Sequence, residues 1–371
     1  MKISIDVVIP SFRPAIDYLL SILQLKRPAN TVMKFFLIID DPLVKLPPEL
    51  VAISNQEDVS LVRNEQNLGA PASRNKGIDM GTGDWILLLD DDVHVPVDLL
   101  EIYAAAIMQH PTATGFIGLV ELPPASKAFT QAICATGAMD IFTIARRQKE
   151  YAWGATANLL ISRHALGTDR FSLRYPAAGG GEDVDLLLRV REKQGGVNYQ
   201  CLPAAAVTHP WWAEEKPMYR RTFRYGVGNS WLGQLNPRYT YRDFFNTPEV
   251  LFLALLALVP LFIFKLVALC AWLFFVGGVL LIEVLATTIQ ALKRSQVISI
   301  AMLWYVILLR WVYECGVLWG NLKRGRLTGL GERFHDDGRV QRIFFYRLNT
   351  RKTIKWILYP VLIYCTLYYF L

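Results

Sequence analysis

Residues 248–292 run for 45 positions with only three charged side chains, Glu249, Lys265 and Glu283. One bilayer-crossing helix needs ~20 apolar residues, so this stretch predicts two spans in a tight hairpin. Two further apolar segments follow, 297–320 and 354–371. Arg310 and Glu314 interrupt the first of these and stand four apart, close enough to pair on one helix face. Trp304, Trp311, Trp319 and Trp356 suit interfacial aromatic belts. A transmembrane region of about three to four helices is expected over 249–371 on length grounds. Its orientation carries a conflict. The basic segments 293–296 and 321–353 should both face the cytoplasm, yet one span between them would put them on opposite sides. Either 297–320 is re-entrant or interfacial, or the hairpin is not two full spans.

The net charge of +7 follows the same division. Residues 1–247 hold 25 Lys and Arg against 26 Asp and Glu, whereas residues 248–371 hold 14 against 6. The basic excess therefore belongs to the apolar part, which points to anionic membrane lipid as a partner. No RRM, zinc-finger or helix-turn-helix signature accompanies it, so no nucleic acid is expected. Five cysteines lie far apart without CxxC spacing, which argues against a disulfide framework or zinc site. The opening "MKISIDVVIPSFRP" is too short and interrupted for a signal peptide, so the chain is expected to begin folding in the cytosol. Residues 209–248, dense in Trp, Tyr, Phe and Arg, suit a membrane-interface segment between the halves.

The first half alternates short apolar runs with amphipathic stretches. Residues 3–10, 33–40, 58–64 and 84–90 read as strands, with helices over 15–25 and 70–81. That alternation predicts an α/β fold with right-handed crossovers and a mostly parallel sheet. Such sheets bind ligands at the carboxyl ends of their strands. Each of these ends is polar: "PSFR", "DDP", "RNEQNLG" and "DDD".

The last cluster, Asp90-Asp91-Asp92, sets three like charges against a buried strand. Unpaired, they would raise one another's pKa. Side chains alternate along an extended chain, so Asp90 and Asp92 share one side and Asp91 turns away. Such a pair can hold Mg²⁺ or Mn²⁺ against a diphosphate. His209 is a candidate further ligand. In "GGGED", Gly179, Gly180 and Gly181 precede a helix start, which places Glu182 and Asp183 in a first turn where negative charge is favoured.

Residues 63–92, "RNEQNLGAPASRNKGIDMGTGDWILLLDDD", resemble the N-x-G-x-x-x-(A/S)-R-N-x-G, strand and D-x-D succession of family 2 glycosyltransferases with the GT-A fold. "VVIPSFRP" resembles that family's first strand and "FFLIIDDP" its second. "WGATANLLISRHAL" resembles its G-x-x-N segment, and "GGGEDVDLLLRVREKQG" its Glu-Asp acceptor motif. The resemblance covers roughly 3–230 in the family's order. It implies a GT-A, Rossmann-like catalytic domain over 1–208, followed by the interface segment 209–248 and the transmembrane region 249–371 with its basic loop 321–353.

The resemblance also implies roles. Pro10, Ser11 and Arg13 would border the nucleotide, and Asp40 or Asp41 would meet the base. Asn67 and Arg74 would steady the base or diphosphate. Asp90, Asp91 and Asp92 would serve the nucleotide sugar and metal, and Trp153 would lie on the acceptor side. Asp183 would be the base that deprotonates an acceptor hydroxyl, with Glu182 beside it; an ionised lipid phosphate would need no base. One departure is visible. Where processive synthases carry Q-x-x-R-W, this chain has "RRTFRYGVG", with Arg221, Arg224 and Tyr225 as substitutes near the diphosphate. The expectation is therefore a metal-dependent inverting glycosyltransferase. It would use a UDP- or GDP-linked sugar and a lipid-linked or glycan acceptor, and would be integral to the membrane in several passes with its catalytic domain cytosolic. A processive polysaccharide synthase and a catalytically silent binding subunit are the alternatives.

Overall fold

The computed structural model describes residues 2–176, 180–261, 266–335, 337–338 and 349–370. Gly179, Lys265, all of 339–348 in the expected basic loop, and residue 371 lie outside the described residues. In chain order the elements begin β1 (Ile3–Ser11), α1 (Ile16–Leu23), β2 (Thr31–Ile39), α2 (Pro48–Ile53), β3 (Val59–Arg63), α3 (Ala70–Met80), β4 (Trp85–Leu89) and α4 (Leu99–Gln109). They continue with β5 (Gly115–Glu121), α5 (Ala128–Thr136), α6 (Ile144–Arg147), β6 (Glu150–Tyr151), β7 (Asn158–Ser162), α7 (Arg163–Leu166), α8 (Glu182–Lys193) and β8 (Tyr199–Thr208). The remainder are α9 (Tyr219–Leu235), β9 (Thr240–Arg242), α10 (Thr247–Leu261), α11 (Leu266–Arg294), α12 (Ile300–Leu322), β10 (Glu332–Phe334) and α13 (Thr350–Phe370).

The chain forms two compact units. The first contains Met1–Pro124 and Met139–Trp212, the second Ala125–Ala138, Ala213–His335 and Arg339–Leu371, and Asp336–Gly338 returns to the first. Residues 125–138, inside the span 1–208, thus group with the second unit.

The first unit is built on an eight-stranded sheet in the order β3-β2-β1-β4-β7-β5-β8-β6. β3, β2, β1 and β4 are parallel, as are β5 and β8. β7 runs antiparallel between β4 and β5. The first four strands are apolar on both faces, the pattern of strands buried between two helical layers. Val7, Ile9, Phe35, Leu37, Leu87 and Leu89 join one core with α1, α2 and α4. The alternate residues Val8, Phe36, Ile38, Ile86 and Leu88 join the other, beneath α3 and α8. Gly77 of α3 lies so close to Val8 that a Cβ there would collide with its methyls, so the last glycine of the N-x-G…R-N-x-G run is a packing requirement.

At the sheet's opposite end, Asp6 is buried and accepts from Gly83 N at 2.7 Å and Arg163 Nη2 at 2.6 Å. Arg163 also donates to the carbonyls of Gly83 and Ile78. This pair ties β1 to the turn before β4 and to the helix after β7.

The second unit is helical. Among the described residues two of its helices are long and apolar enough to cross a membrane, over Leu269–Arg294 and Ile300–Leu322. The apolar run 248–292 becomes two helices, α10 and α11. Asn246 and Glu249 cap α10 reciprocally: Asn246 Oδ1 accepts from Glu249 N at 2.9 Å, and Glu249 Oε2 accepts from Asn246 N at 2.8 Å. Glu314 accepts from Arg351 of α13 at 2.7 Å, a partner on another helix from the Arg310 expected by spacing. α9, inside the expected interface segment, packs along α12 through small residues. A Cβ at Gly226 would strike the Tyr313 carbonyl, and one at Gly316 the Phe223 carbonyl. Ala213, Glu214 and Glu215 take left-handed conformations at φ 49°, 52° and 63°, a costly tract for residues with a Cβ. The Glu215 carboxylate holds it by collecting Ser126 N and Lys127 N at 2.9 Å and the hydroxyls of Ser126 and Thr130 at 2.5 Å.

Removing one member of a buried ion pair strands the other. Asp6→Ala is expected to lower unfolding stability by ~3 kcal/mol, read as a fall in the thermal midpoint. A loss below about 1 kcal/mol, the range of a surface ion pair, would refute the assigned role.

Candidate active site

The carboxyl ends of β1, β2, β3 and β4 lie on one edge because the four strands are parallel. That edge collects Ser11, Asp40, Asn64 and the three aspartates. β7 adds to it from the antiparallel direction: Asn158 pairs with Leu89, and Asp90 N approaches Ala157 O at 3.5 Å. The "WGATAN" segment is thereby set beside the "DDD" segment.

Arg74 of α3 donates to Asp90 Oδ1 at 2.8 Å with its side chain 8% exposed. Its guanidinium lies 5.7 Å from the Phe171 ring. Its Nε is buried with no hydrogen-bond partner among the described residues, so it keeps a donor for a bound group. Asp91 turns from its neighbours and accepts the Ser11 hydroxyl. Burial pushes the Asp91 carboxyl up to about 7; the Ser11 hydrogen bond opposes this, and the charges of Asp92 and Asp90 add to it.

Asp92 Oδ1 lies 3.3 Å from His209 Nε2. His209 is buried, and its Nδ1 lies 2.6 Å from the Pro210 carbonyl. A carbonyl can only accept, so Nδ1 carries a proton, and in the neutral ring Nε2 is the atom left to act as a ligand beside Asp92. One ligand atom from each of Asp90, Asp92 and His209 lies within 4.8 Å of the other two. Two carboxylate oxygens and an oriented imidazole suit a divalent cation of the Mn²⁺ or Mg²⁺ kind, and an outer carbonyl fixing the ring is the usual support.

Glu182 and Asp183 open α8 after Gly180 and Gly181, both at positive φ. Both side chains keep some solvent contact. Burial pushes Glu182 up to about 7, with the Asp183 charge adding to it and Arg74 opposing. Asp183 is raised chiefly by burial, against its hydrogen bond from Val184 N and the Arg74 charge. Asp90 raises both. The two motifs therefore share one electrostatic environment around Arg74. The folded state holds these protons more tightly than the unfolded chain. The pair therefore stabilises the fold below the usual carboxylate range and loses that contribution as pH climbs from 4.5 through about 7.

Other expected residues fall differently. Asp40 is buried and accepts from Asn64 Nδ2 at 2.8 Å, Leu68 N at 2.9 Å and Gly69 N at 2.8 Å. It holds the loop before α3 in shape and leaves Asp41, bonded to Leu43 N, as the more open carboxylate of the two. Asn67 is exposed and accepts from Gly69 N at 3.1 Å. Pro10 is buried in β1, and Arg13 is exposed over Phe12. Trp153 is half-buried against the second core. Arg221, Arg224 and Tyr225 stand on α9, in the other unit.

The sequence reading passed over the Asn64–Lys76–Ser73 network that supports Asp40 and the Phe171 ring against Arg74. It also passed over the role of Asn158, which takes the Tyr103 hydroxyl and donates to two carbonyls. Ser73 and Lys76 lie inside the (A/S)-R-N-x-G run, which the sequence displays; Phe171 carries no local signal.

Binding of a cation that the unfolded chain does not bind raises stability by ~2.7 kcal/mol at a hundredfold excess over Kd. Mn²⁺ is expected to raise the melting temperature of the wild type. The shift should be lost in Asp92→Asn and weakened in His209→Ala. An equal shift in all three proteins would remove the metal from these residues.

Residues 36–159 match the profile described as glycosyl transferase family 2. A glycosyltransferase of Methanocaldococcus jannaschii is 37% identical over 65 residues, 17% of this chain and 22% of its own. The glucosyl-dolichyl phosphate glucuronosyltransferase of Haloferax volcanii is 36% identical over 64 residues, 17% of this chain and 20% of its own. A glycosyltransferase of Haemophilus influenzae is 43% identical over 53 residues, 14% of this chain and 18% of its own. This chain thus spans about a fifth of the length of the curated relatives it matches. Among solved structures, a mannosyltransferase from Pyrobaculum calidifontis in complex with GDP-Man and Mn²⁺ aligns at TM-score 0.43 and 15% identity over 61% of each chain.

Proposed function

We propose, from the match of residues 36–159 to glycosyl transferase family 2, that this chain moves a sugar from a nucleotide-linked donor to an acceptor held at a membrane, with inversion at the anomeric carbon. The observation that carries the reading is the placement of Arg74. It bonds Asp90 of the D-x-D, its charge bears on Glu182 and Asp183, and it keeps a buried N–H in reserve.

In this reading Asp90, Asp92 and His209 hold a divalent cation, which when bound neutralises charge on the departing nucleoside diphosphate. Arg74 donates to the same diphosphate through its spare N–H. Ser11, locked to Asp91, and Asp41 border the nucleoside at the ends of β1 and β2. Asp183 accepts the proton of an acceptor hydroxyl as its oxygen bonds to the anomeric carbon and the bond from that carbon to the diphosphate oxygen breaks. Glu182 stands beside it in the first turn of α8, and burial and the Asp90 charge raise the basicity of Asp183. The name of the Haloferax volcanii relative contains a dolichyl phosphate-linked sugar, and the apolar helices of the second unit agree with a lipid-linked acceptor. Nucleotide sugars are made in the cytosol, so the first unit is assigned to that side.

The test is turnover of UDP- and GDP-linked sugars by protein in lipid. Nucleotide release should require Mn²⁺ or Mg²⁺ and should fall at least a hundredfold in Asp92→Asn and Asp183→Asn. With a hydroxyl acceptor, kcat/KM should climb with pH and level off above about 7, because the Glu182–Asp183 pair must lose a proton. Survival of activity in Asp183→Asn, with a flat profile, would move the acceptor to an ionised phosphate. No release from any donor would overturn the reading.

A further inference from the structure

The helices of the second unit separate into two packing groups. Val279 and Ile282 of α11 pack with Leu362 of α13, and Val250 and Leu251 of α10 lie against them. Past Glu283 the company of α11 changes. Ala291 joins Met302, Val306 and Leu309 of α12 and Phe129, Ala132 and Ala135 of α5.

A layer of buried polar groups lies at the change. Glu283 of α11 takes Arg351 Nη1 at 3.0 Å, Thr247 Oγ1 at 2.5 Å, Thr287 Oγ1 at 2.7 Å and the Lys355 ammonium. Glu314 of α12 takes the same Arg351. Two carboxylates and three cations, Arg310 of α12 among them, contributed by three helices, face one another largely out of solvent.

On one side of this layer large apolar side chains face outward. Leu273, Phe274 and Leu281 of α11 and Ile357, Tyr364 and Tyr368 of α13 are all exposed. On the other side α12 is mostly half-buried, and Val284, Leu285 and Leu292 of α11 remain exposed. Only Ile300, Ala301, Trp304 and Trp319 along α12 are exposed. Its close partner α9 opens with Arg220, Arg221 and Arg224, a sequence that hydrocarbon would not accommodate. Lys293 and Arg294 end α11 on that side, and Lys323, Arg324 and Arg326 follow α12.

We infer that the chain enters the bilayer from one face only. Residues 250–261 of α10, 266–282 of α11 and 356–370 of α13 lie among acyl chains, while α12, apolar enough to span, remains outside as the core helix of the half containing α5 and α9. At about 1.5 Å per residue the three inserted segments run roughly 18, 25 and 22 Å, each short of the ~30 Å hydrocarbon core. The occupant of the exposed face is lipid, because the helix ends beyond the charged layer carry arginine and lysine that suit anionic headgroups. The two basic segments on either side of α12 then lie on the same face, and the orientation conflict in the hydropathy pattern disappears. This inference stands on the second unit alone and is independent of the chemistry proposed above.

Two measurements test it. A photoactivatable reagent carried on lipid acyl chains, applied to the unmodified chain in vesicles, should label 266–282 and 356–370 and spare 305–318. Labelling of α12 at the level of α11 overturns the inference. So does absence of label from α11 and α13, which would assign their face to a second copy or another protein. Separately, Ser295→Cys and Lys323→Cys, each in a background lacking the five native cysteines, should react with a membrane-impermeant maleimide from the same side of sealed vesicles and to within about twofold of each other. Reaction from opposite sides makes α12 a span and overturns it. If the cysteine variants fail to fold, the labelling of the unmodified chain still decides.

Discussion

The Arg74–Asp90 ion pair is the contact on which the candidate site depends. Three aspartates at a strand end repel, and Glu182 and Asp183 bring two more carboxylates into the same field. One largely buried guanidinium, set by α3 and backed by Phe171, offsets part of that repulsion. Arg74 holds its place because Gly77, one turn on, lets α3 settle onto Val8. A packing requirement at Gly77 thus becomes an electrostatic one at Asp90.

The two units treat buried charge in opposite ways. In the first, the carboxylates exceed the cations near them, and burial, with neighbouring carboxylate charge adding to it, holds protons up to about pH 7 on Asp91 and Glu182. That imbalance suits a site that must receive a cation and an anionic ligand together. In the second, Glu283 and Glu314 face Arg310, Arg351 and Lys355, so the cations outnumber the carboxylates. A paired buried network contributes little net stability against an apolar packing, but it fixes which helices meet and at what height along them.

Much of the first unit was legible locally. The runs at 3–10, 33–40, 58–64 and 84–90 became β1 to β4 within two residues at each end, and 70–81 became α3. Near-continuous apolar runs between turn residues need no distant partner to be read as strands. β7 was not legible as a strand between β4 and β5, because its antiparallel insertion is a pairing between residues about 70 positions apart in the chain. The approach of His209 to Asp92 has the same origin, since β8 must return along the sheet before the imidazole reaches the β4 end. Asp40 shows the converse. Its chemistry and position suggested ligand contact, yet the fold gives three of its acceptor sites to the 64–69 loop.

By itself the sequence determined the α/β character of the first half, the apolar character of the second, and the residue types at the strand ends. These follow from periodicity and composition, which are local. Only the tertiary structure decided that Arg74 stands between the D-x-D and the Glu-Asp pair, that Glu215 holds a left-handed turn onto the start of α5, and that α12 packs against α9. Hydropathy weighs each helix against solvent alone. Whether an apolar helix meets lipid or another helix depends on its neighbours, and Gly226 and Gly316, which admit that contact at backbone distance, become informative only when both helices are in place.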